Sequence, residues 1–196
     1  MFKKSIMTVL QKLQYDFIQN EIWILTFGGA FQRSNIYRSK DQEEQKKGVF
    51  KKSIRSFIED TILDSYKTIM VSDTEHIENI KRVSDYSSNF SELFNNEKIN
   101  FGIAQKMLNL YLKYMWSLGH IQSPPHFPVD RIIQELLNKE LKALGIKGLE
   151  LKAWTQFTDE NHYLKVMNSA RELISKKELF ANHSLAELEL SLFQRR

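Results

Sequence analysis

The chain of 196 residues contains no cysteine. Disulfide bonds, thiol catalysis, zinc sites built on thiolates and iron–sulfur clusters are therefore excluded. The sequence also has no run of about 18 uncharged apolar residues, which a membrane-spanning helix requires. The first residues include two lysines, as in a signal peptide, but polar residues soon follow and no apolar core of about 7–15 residues is present. We therefore expect a cytoplasmic protein with no membrane partner.

Motifs that bind nucleotides or metals are also missing. There is no G-x-x-x-x-G-K-[ST] loop, no G-x-G-x-x-G turn and no H-E-x-x-H pair among the five histidines. We expect neither a cofactor nor a metal. The formal net charge of +4 permits an anionic partner such as DNA but does not require one.

Apolar residues recur with the helical period in nearly every segment. We predict an all-α fold in which residues 1–196 form a compact multi-helix domain, either as one body or as two packed lobes of about 1–95 and 96–196. Gly28 and Gly29 open a charged segment, 27–48, that we predict as a loop or broken segment. The first helix carries an apolar stripe made of Ile6, Val9, Leu10, Leu13, Phe17 and Ile18. The predicted helices cover 5–24, 49–66, a segment starting at 72 or 73, 89–95, 103–118, 130–144, 159–175 and 184–193.

The run IAQKMLNLYLKYMWSLG (103–119) is apolar around most of its circumference. A helix of this kind is normally the central, buried one. Its polar exceptions, Lys106, Asn109 and Lys113, recur at helical spacing and form one narrow polar strip. Gly119 then favours the end of the helix.

All three prolines of the chain, Pro124, Pro125 and Pro128, lie within five positions just before Asp130. Proline fixes φ and removes a backbone donor, so the cluster predicts a stiff, extended segment. Asp130 then stands at the start of an apolar helix, where it is a good N-cap. A rigid segment would hold its carboxylate in one place.

Lys106 and Asp130 can meet if residues 119–129 run back along the central helix. An extended chain covers ~3.3 Å per residue, and the helix from 106 to 118 is about 20 Å long. The return is therefore within reach, and we expect both side chains to border one cavity. Burial near a helix N-terminus favours a neutral, nucleophilic amine, whereas the carboxylate of Asp130 opposes this effect.

The segments GIAQK and FPVDRII resemble the core of the helix-hairpin-helix DNA glycosylases, the family of 8-oxoguanine glycosylase and endonuclease III. The resemblance places Lys106 at the family's lysine nucleophile and Asp130 at its essential aspartate. It implies that the hairpin amides of Gly102, Ile103 and Ala104 touch backbone phosphate. It further implies base excision with strand cleavage: Lys106 attacks C1′ of a flipped, damaged nucleotide and forms a Schiff base. Ala104 replaces the hairpin's second glycine, and Ile132 replaces a common histidine.

Other interpretations of the same residues stay open. Lys106 could belong to a solvated strip with Asn109 and Lys113, and Asp130 could act only as a cap. Trp154 could stack on a base or pack in the core, and the pair Gly28-Gly29 could be an ordinary turn or a backbone wall against a base. The alternative function is a catalytically inactive helical adaptor that binds nucleic acid or a protein partner, for example in an antiphage defence system.

Overall fold

The computed structural model describes residues 8–32, 34–38 and 44–193, and every regular element within these ranges is a helix. The predicted all-α class is confirmed. None of the described helices is long and apolar enough to cross a membrane. The α-helices are α1 (Val9–Phe31), α2 (Glu44–Thr61), α3 (Ser65–Thr68), α4 (Asp73–Tyr86), α5 (Phe101–Ser117), α6 (Arg131–Ala143), α7 (Asn161–Lys176) and α8 (Leu185–Leu192). The described 3₁₀ turns are Ser87–Leu93, Trp154–Gln156 and Glu178–Phe180.

Helix α5 is the buried helix that its apolar circumference predicts. Twelve of its 17 residues are buried, and α1 and α4 pack against it. Tyr111 of α5 stacks on Trp23 of α1 with ring centroids 4.4 Å apart, and such pairs add about 0.5–1.5 kcal/mol beyond their buried area. One apolar core cluster reaches from Ile22 to Leu188 and so draws on both halves of the chain. The possible division into two lobes stays a prediction.

Helix α1 begins later and ends later than predicted. Thr8 caps it and forms a capping box with Gln11. Gly28 and Gly29, predicted to open a loop, lie inside the helix, so that prediction is wrong. A Cβ built on Gly29 would lie 2.6 Å from Leu110 Cδ1 of α5. The close packing of the two helices therefore outweighs the helix propensity cost of about 1 kcal/mol per glycine.

The apolar stripe predicted on the first helix faces solvent. Val9, Leu10, Leu13 and Phe17 are exposed, whereas Ile22 and Trp23 on another face of α1 are buried. The sixth member of the stripe, Ile6, lies outside the described residues. Helix α1 therefore has two apolar faces, and hydrophobic period alone does not say which one meets the core.

The proline segment, by which we mean residues 119–130, runs back along α5, as its length allows. Phe127 and Val129 are buried. The Gln105 side chain donates to the Val129 carbonyl at 2.9 Å and accepts from the Val129 amide at 3.1 Å. Since one side-chain amide satisfies both backbone groups of Val129, the next residue, Asp130, is fixed beside the first two turns of α5.

Helix α6 holds the following segment in the same way. Its Gln134 side chain donates to the Lys152 carbonyl at 2.9 Å and accepts from the Lys152 amide at 3.2 Å. One turn later Asn138 pairs with both backbone groups of Leu149, at 2.9 and 2.6 Å. Residues 145–153 contain no strand, and the side-chain amides of α6 pair with the backbones of Leu149 and Lys152 where a neighbouring strand would in a sheet.

The N-terminal turn of α5 is packed tightly against the 3₁₀ turn Trp154–Gln156. The Gly102 amide donates to the Phe157 carbonyl at 3.0 Å. A Cβ built on Gly102 would lie 1.7 Å from the carbonyl oxygen of Trp154. Only glycine fits here without movement of one backbone segment, and this contact sets where Trp154 lies relative to α5.

We predict that Gly102→Ala lowers the free energy of unfolding by about 3 kcal/mol or more, because backbone atoms must move to admit the methyl group. Gly28→Ala is the matched control within a helix, since nothing lies within 4 Å of its Cβ position. It should raise the free energy of unfolding by about 0.5–1 kcal/mol. Urea unfolding followed by circular dichroism measures both, and equal stabilities of the two variants would contradict the packing argument.

Candidate active site

Lys106 and Asp130 meet directly. Lys106 Nζ lies 2.5 Å from Asp130 Oδ2, and the side chains are 8% and 19% exposed. The other carboxylate oxygen, Oδ1, accepts the Ile133 amide at 2.9 Å and caps α6. Asp130 therefore serves as cap and ion-pair partner at once. Lys106 is not on a solvated strip, so that interpretation is wrong.

Trp154 lies beside the Lys106–Asp130 pair. Lys106 Nζ lies 5.3 Å from the centroid of the Trp154 ring, within the range of a cation–π contact. The indole Nε1 lies 3.5 Å from the Ala30 carbonyl at the end of α1. Trp154 is buried, so its ring already has protein on both the α1 and α5 sides.

The amides that the resemblance assigns to phosphate binding have partners inside the protein. The Gly102 amide donates to the Phe157 carbonyl, the Ile103 amide to Asn100 Oδ1 at 3.0 Å, and the Ala104 amide to the Asn100 carbonyl at 3.1 Å. All three residues, Gly102, Ile103 and Ala104, are buried. A phosphate would have to displace these partners, and the contact stays a prediction.

Gly28 and Gly29, interpreted from the sequence as either a turn or a backbone wall against a base, lie in the last turns of α1, so the turn is wrong. Gly28 is open to its surroundings, and Gly29 faces Leu110 of α5. Their role in binding a base stays a prediction. The geometry gives Gly29 a packing function with α5.

A second lysine–carboxylate pair lies on the same face of α5. Lys113, seven residues after Lys106, contacts both carboxylate oxygens of Glu189 on α8, at 2.9 and 2.6 Å. Burial raises the pKa of Glu189, and the ammonium of Lys113 opposes this effect. Lys106 and Asp130 also act electrostatically on Glu189. No pattern in the sequence singles out Glu189, because it is one of several acidic residues in an amphipathic C-terminal helix.

A buried polar cluster lies behind the proline segment, and we did not predict it. The rings of His126 and His76 meet edge to face with centroids 4.9 Å apart. His76 Nδ1 lies 2.8 Å from the Tyr66 hydroxyl, and His126 Nε2 lies 3.2 Å from Asp73 Oδ1. Burial lowers the pKa of His126 to about 3, with the Arg171 guanidinium adding to the effect. Burial and the neighbouring His126 hold the pKa of His76 well below its ordinary value.

Both histidines are therefore neutral at pH 7, so the contact between His126 and Asp73 is not an ion pair. His120, on the other side of the prolines, is exposed and meets the Tyr15 ring. Within the part of the chain that the structure describes, no group of three or more histidine or acidic side chains could hold a metal ion.

Two cavities open at the N-terminal end of α5, and neither is lined by Lys106 or Asp130. The larger has a volume of about 460 Å³, and its wall includes Lys98, Asn100 and Phe101. The smaller, of about 90 Å³, shares Lys98 and Asn100 with it. The predicted cavity at the lysine–aspartate pair is therefore neither of these two.

We predict that the protein loses stability as the pH falls from about 6.5 toward 3. Unfolded histidines take up protons near pH 6.5, whereas the folded pKa of His126 is about 3. The unfolded state thus binds more protons in this window, and His126 alone costs about 2 kcal/mol at pH 5 relative to pH 7.5. Urea unfolding at several pH values measures the slope.

His126→Asn should reduce this slope, since each proton contributes about 1.4 kcal/mol per pH unit. The control is His120→Asn, which removes an exposed imidazole and should keep the slope of the wild type. If His126→Asn left the slope of stability against pH unchanged, this would contradict the assignment of the pH dependence to His126.

The site is thus a buried lysine–aspartate pair beside a tryptophan, set at the junction of α5, the proline segment and the turn Trp154–Gln156. No protein-family model, curated protein or solved structure matches this chain.

Proposed function

We propose that this protein is a DNA base-excision enzyme, an N-glycosylase and AP lyase of the helix-hairpin-helix type, acting on a damaged or modified nucleobase. Lys106 is the nucleophile and Asp130 its acid–base and electrostatic partner. The single observation that carries the proposal is the 2.5 Å contact between Lys106 Nζ and Asp130 Oδ2. The chemistry needs no cofactor.

In the proposed reaction Asp130 accepts a proton from Lys106, which leaves a neutral amine. The amine attacks C1′ of an extruded nucleotide, and the C1′–N bond breaks with its electron pair leaving on the base, which takes up a proton. The new C–N bond becomes an imine as the sugar ring opens. Loss of a C2′ proton then expels the 3′ phosphate by β-elimination, and water releases Lys106 from the imine.

The surroundings of the pair support these roles. Asp130 accepts a hydrogen bond from the Ile133 amide, and the residue before it, Val129, is held by two hydrogen bonds with the Gln105 side chain. A carboxylate held in this way can stabilise positive charge that develops on the sugar without reorganising. Trp154, 5.3 Å from Lys106, offers an aromatic face on which an extruded base could stack once that face is uncovered.

The second candidate is a catalytically inactive adaptor that binds DNA or a protein and keeps the scaffold, for example in antiphage defence. The observation that favours it is burial: the Lys106 side chain is 8% exposed, and its ammonium already has a partner. In this interpretation the pair only ties the proline segment to α5. Breaking it would destabilise the fold, because one charge would stay buried without its counterpart.

We predict that borohydride traps the wild-type protein on duplex DNA that contains an abasic site or a damaged base, and that Lys106→Ala abolishes trapping. Reduction fixes only an imine, so the trapped species reports a Schiff base. Lys113→Gln is the matched control, because it removes a lysine of the same helix face that also pairs with a carboxylate; it should be trapped as the wild type is. Absence of trapping in a folded wild-type protein, with DNA binding that weakens steeply with salt, would favour the DNA-binding adaptor.

We predict that Asp130→Asn slows base release by about 100-fold or more, since it removes a positioned acid–base group. Asparagine caps helices as well as aspartate does, so the cap on α6 is retained. Single-turnover assays measure the rate, and thermal unfolding checks the fold. A variant with the wild-type rate would exclude Asp130 from the chemistry, whereas loss of rate together with loss of fold would leave it only a structural role.

A further inference from the structure

The outer face of α1 carries five exposed apolar side chains, four of them between Val9 and Phe17 and the fifth, Ile24, two turns further on. Their exposed fractions are 79% for Val9, 64% for Leu10, 62% for Leu13, 61% for Phe17 and 63% for Ile24. Single exposed apolar residues are normal, but contiguous patches on monomers rarely exceed a few hundred Å². We call these five residues the α1 stripe; four of them also belong to the apolar stripe predicted from the sequence, and Ile24 is added.

The α1 stripe has the geometry of a helix–helix contact. With 3.6 residues per turn, the five side chains fall within about 100° of the helix circumference. Leu10, Phe17 and Ile24 follow one another at intervals of seven, the spacing with which one helix keeps facing a partner helix. The buried face of α1, which includes Ile22 and Trp23, points elsewhere and packs on the protein's own core.

The spacing is also symmetric about Phe17. If two α1 helices pack antiparallel around a two-fold axis at this residue, Leu10 of one copy lies opposite Ile24 of the other. Phe17 then meets its own counterpart. For these three residues the pairing is reciprocal, as an isologous interface requires, because each residue must fit the partner that the symmetry assigns to it. The same axis places Val9 opposite Leu25 and Leu13 opposite Glu21.

The area sets an upper limit for such a contact. The exposed parts of the α1 stripe amount to roughly 600 Å² per copy, so complete burial on two copies would reach the ~1,200 Å² at which specific interfaces begin. We propose that the α1 stripe is a self-association surface, through which two copies of this chain pair by antiparallel contact of their α1 helices about Phe17. The proposal is independent of the chemistry proposed for Lys106 and Asp130.

The first experiment measures self-association of the full chain by sedimentation equilibrium across the micromolar range. The wild type should show a monomer–dimer equilibrium. Phe17→Asp should weaken it by at least about 30-fold, because a central apolar side chain is lost on both copies and two carboxylates face each other. The control is Met70→Asp, which places the same charge at a residue that is 77% exposed outside the α1 stripe and should leave the dimer unchanged.

The second experiment uses the absence of cysteine from the chain. In Phe17→Cys the introduced thiols of two copies face each other at the two-fold axis, so mild oxidation should link them into a disulfide dimer. Leu10→Cys alone should link at least about 10-fold more slowly, because its opposite residue is Ile24. The double variant Leu10→Cys/Ile24→Cys should restore efficient linking, and Met70→Cys should not link above background.

The proposal is overturned if the wild type stays monomeric over the whole range, or if Phe17→Asp leaves a dimer intact. It is also overturned if Leu10→Cys and Phe17→Cys link equally fast, since the two-fold axis would then not lie at Phe17. A monomer that floats with phospholipid vesicles, and stops doing so in Phe17→Asp, would assign the α1 stripe to a lipid surface instead.

Discussion

Two consecutive residues of α5 hold two consecutive residues of the proline segment. Gln105 pairs with both backbone groups of Val129, and Lys106 pairs with the carboxylate of Asp130. The first contact satisfies two buried backbone groups, each of which would cost about 1–3 kcal/mol if left without a partner. The second neutralises a nearly buried ammonium. This double contact sets the position of Asp130, and therefore the point at which α6 begins.

The same device recurs further along the chain. Gln134 and Asn138 of α6 pair with the backbones of Lys152 and Leu149, and the segment they hold leads into Trp154. That tryptophan then packs between Gly102 of α5, the end of α1 and Lys106. Side-chain amides thus position the candidate site, because each carboxamide offers N–H donors and a carbonyl acceptor to the backbone of one residue, as a neighbouring strand would.

The proposed chemistry and the packing make opposite demands on Lys106. A nucleophile needs a neutral amine and a route to substrate, whereas the fold gains from a charged amine held by Asp130 in a closed place. Both demands are satisfied if substrate binding displaces Trp154 and so exposes Lys106. The Trp154 carbonyl packs against Gly102 of α5, and its indole lies against the end of α1. Helix α1 in turn exposes the α1 stripe on its outer face, so one helix connects the proposed site with the proposed dimer contact.

The sequence by itself determined the features that depend on neighbours in the chain: the helical class, the buried helix at 103–119, the cap at Asp130, and a proline segment long enough to bring Asp130 back to Lys106. These follow from period, capping and chain length, which act locally. Only the tertiary structure decided that Gly28 and Gly29 stay helical, which apolar face of α1 meets the core, that Glu189 joins Lys113, and that His76 meets His126. Each of these depends on a residue brought from far along the chain, and local patterns carry no information about which distant surface a side chain will contact.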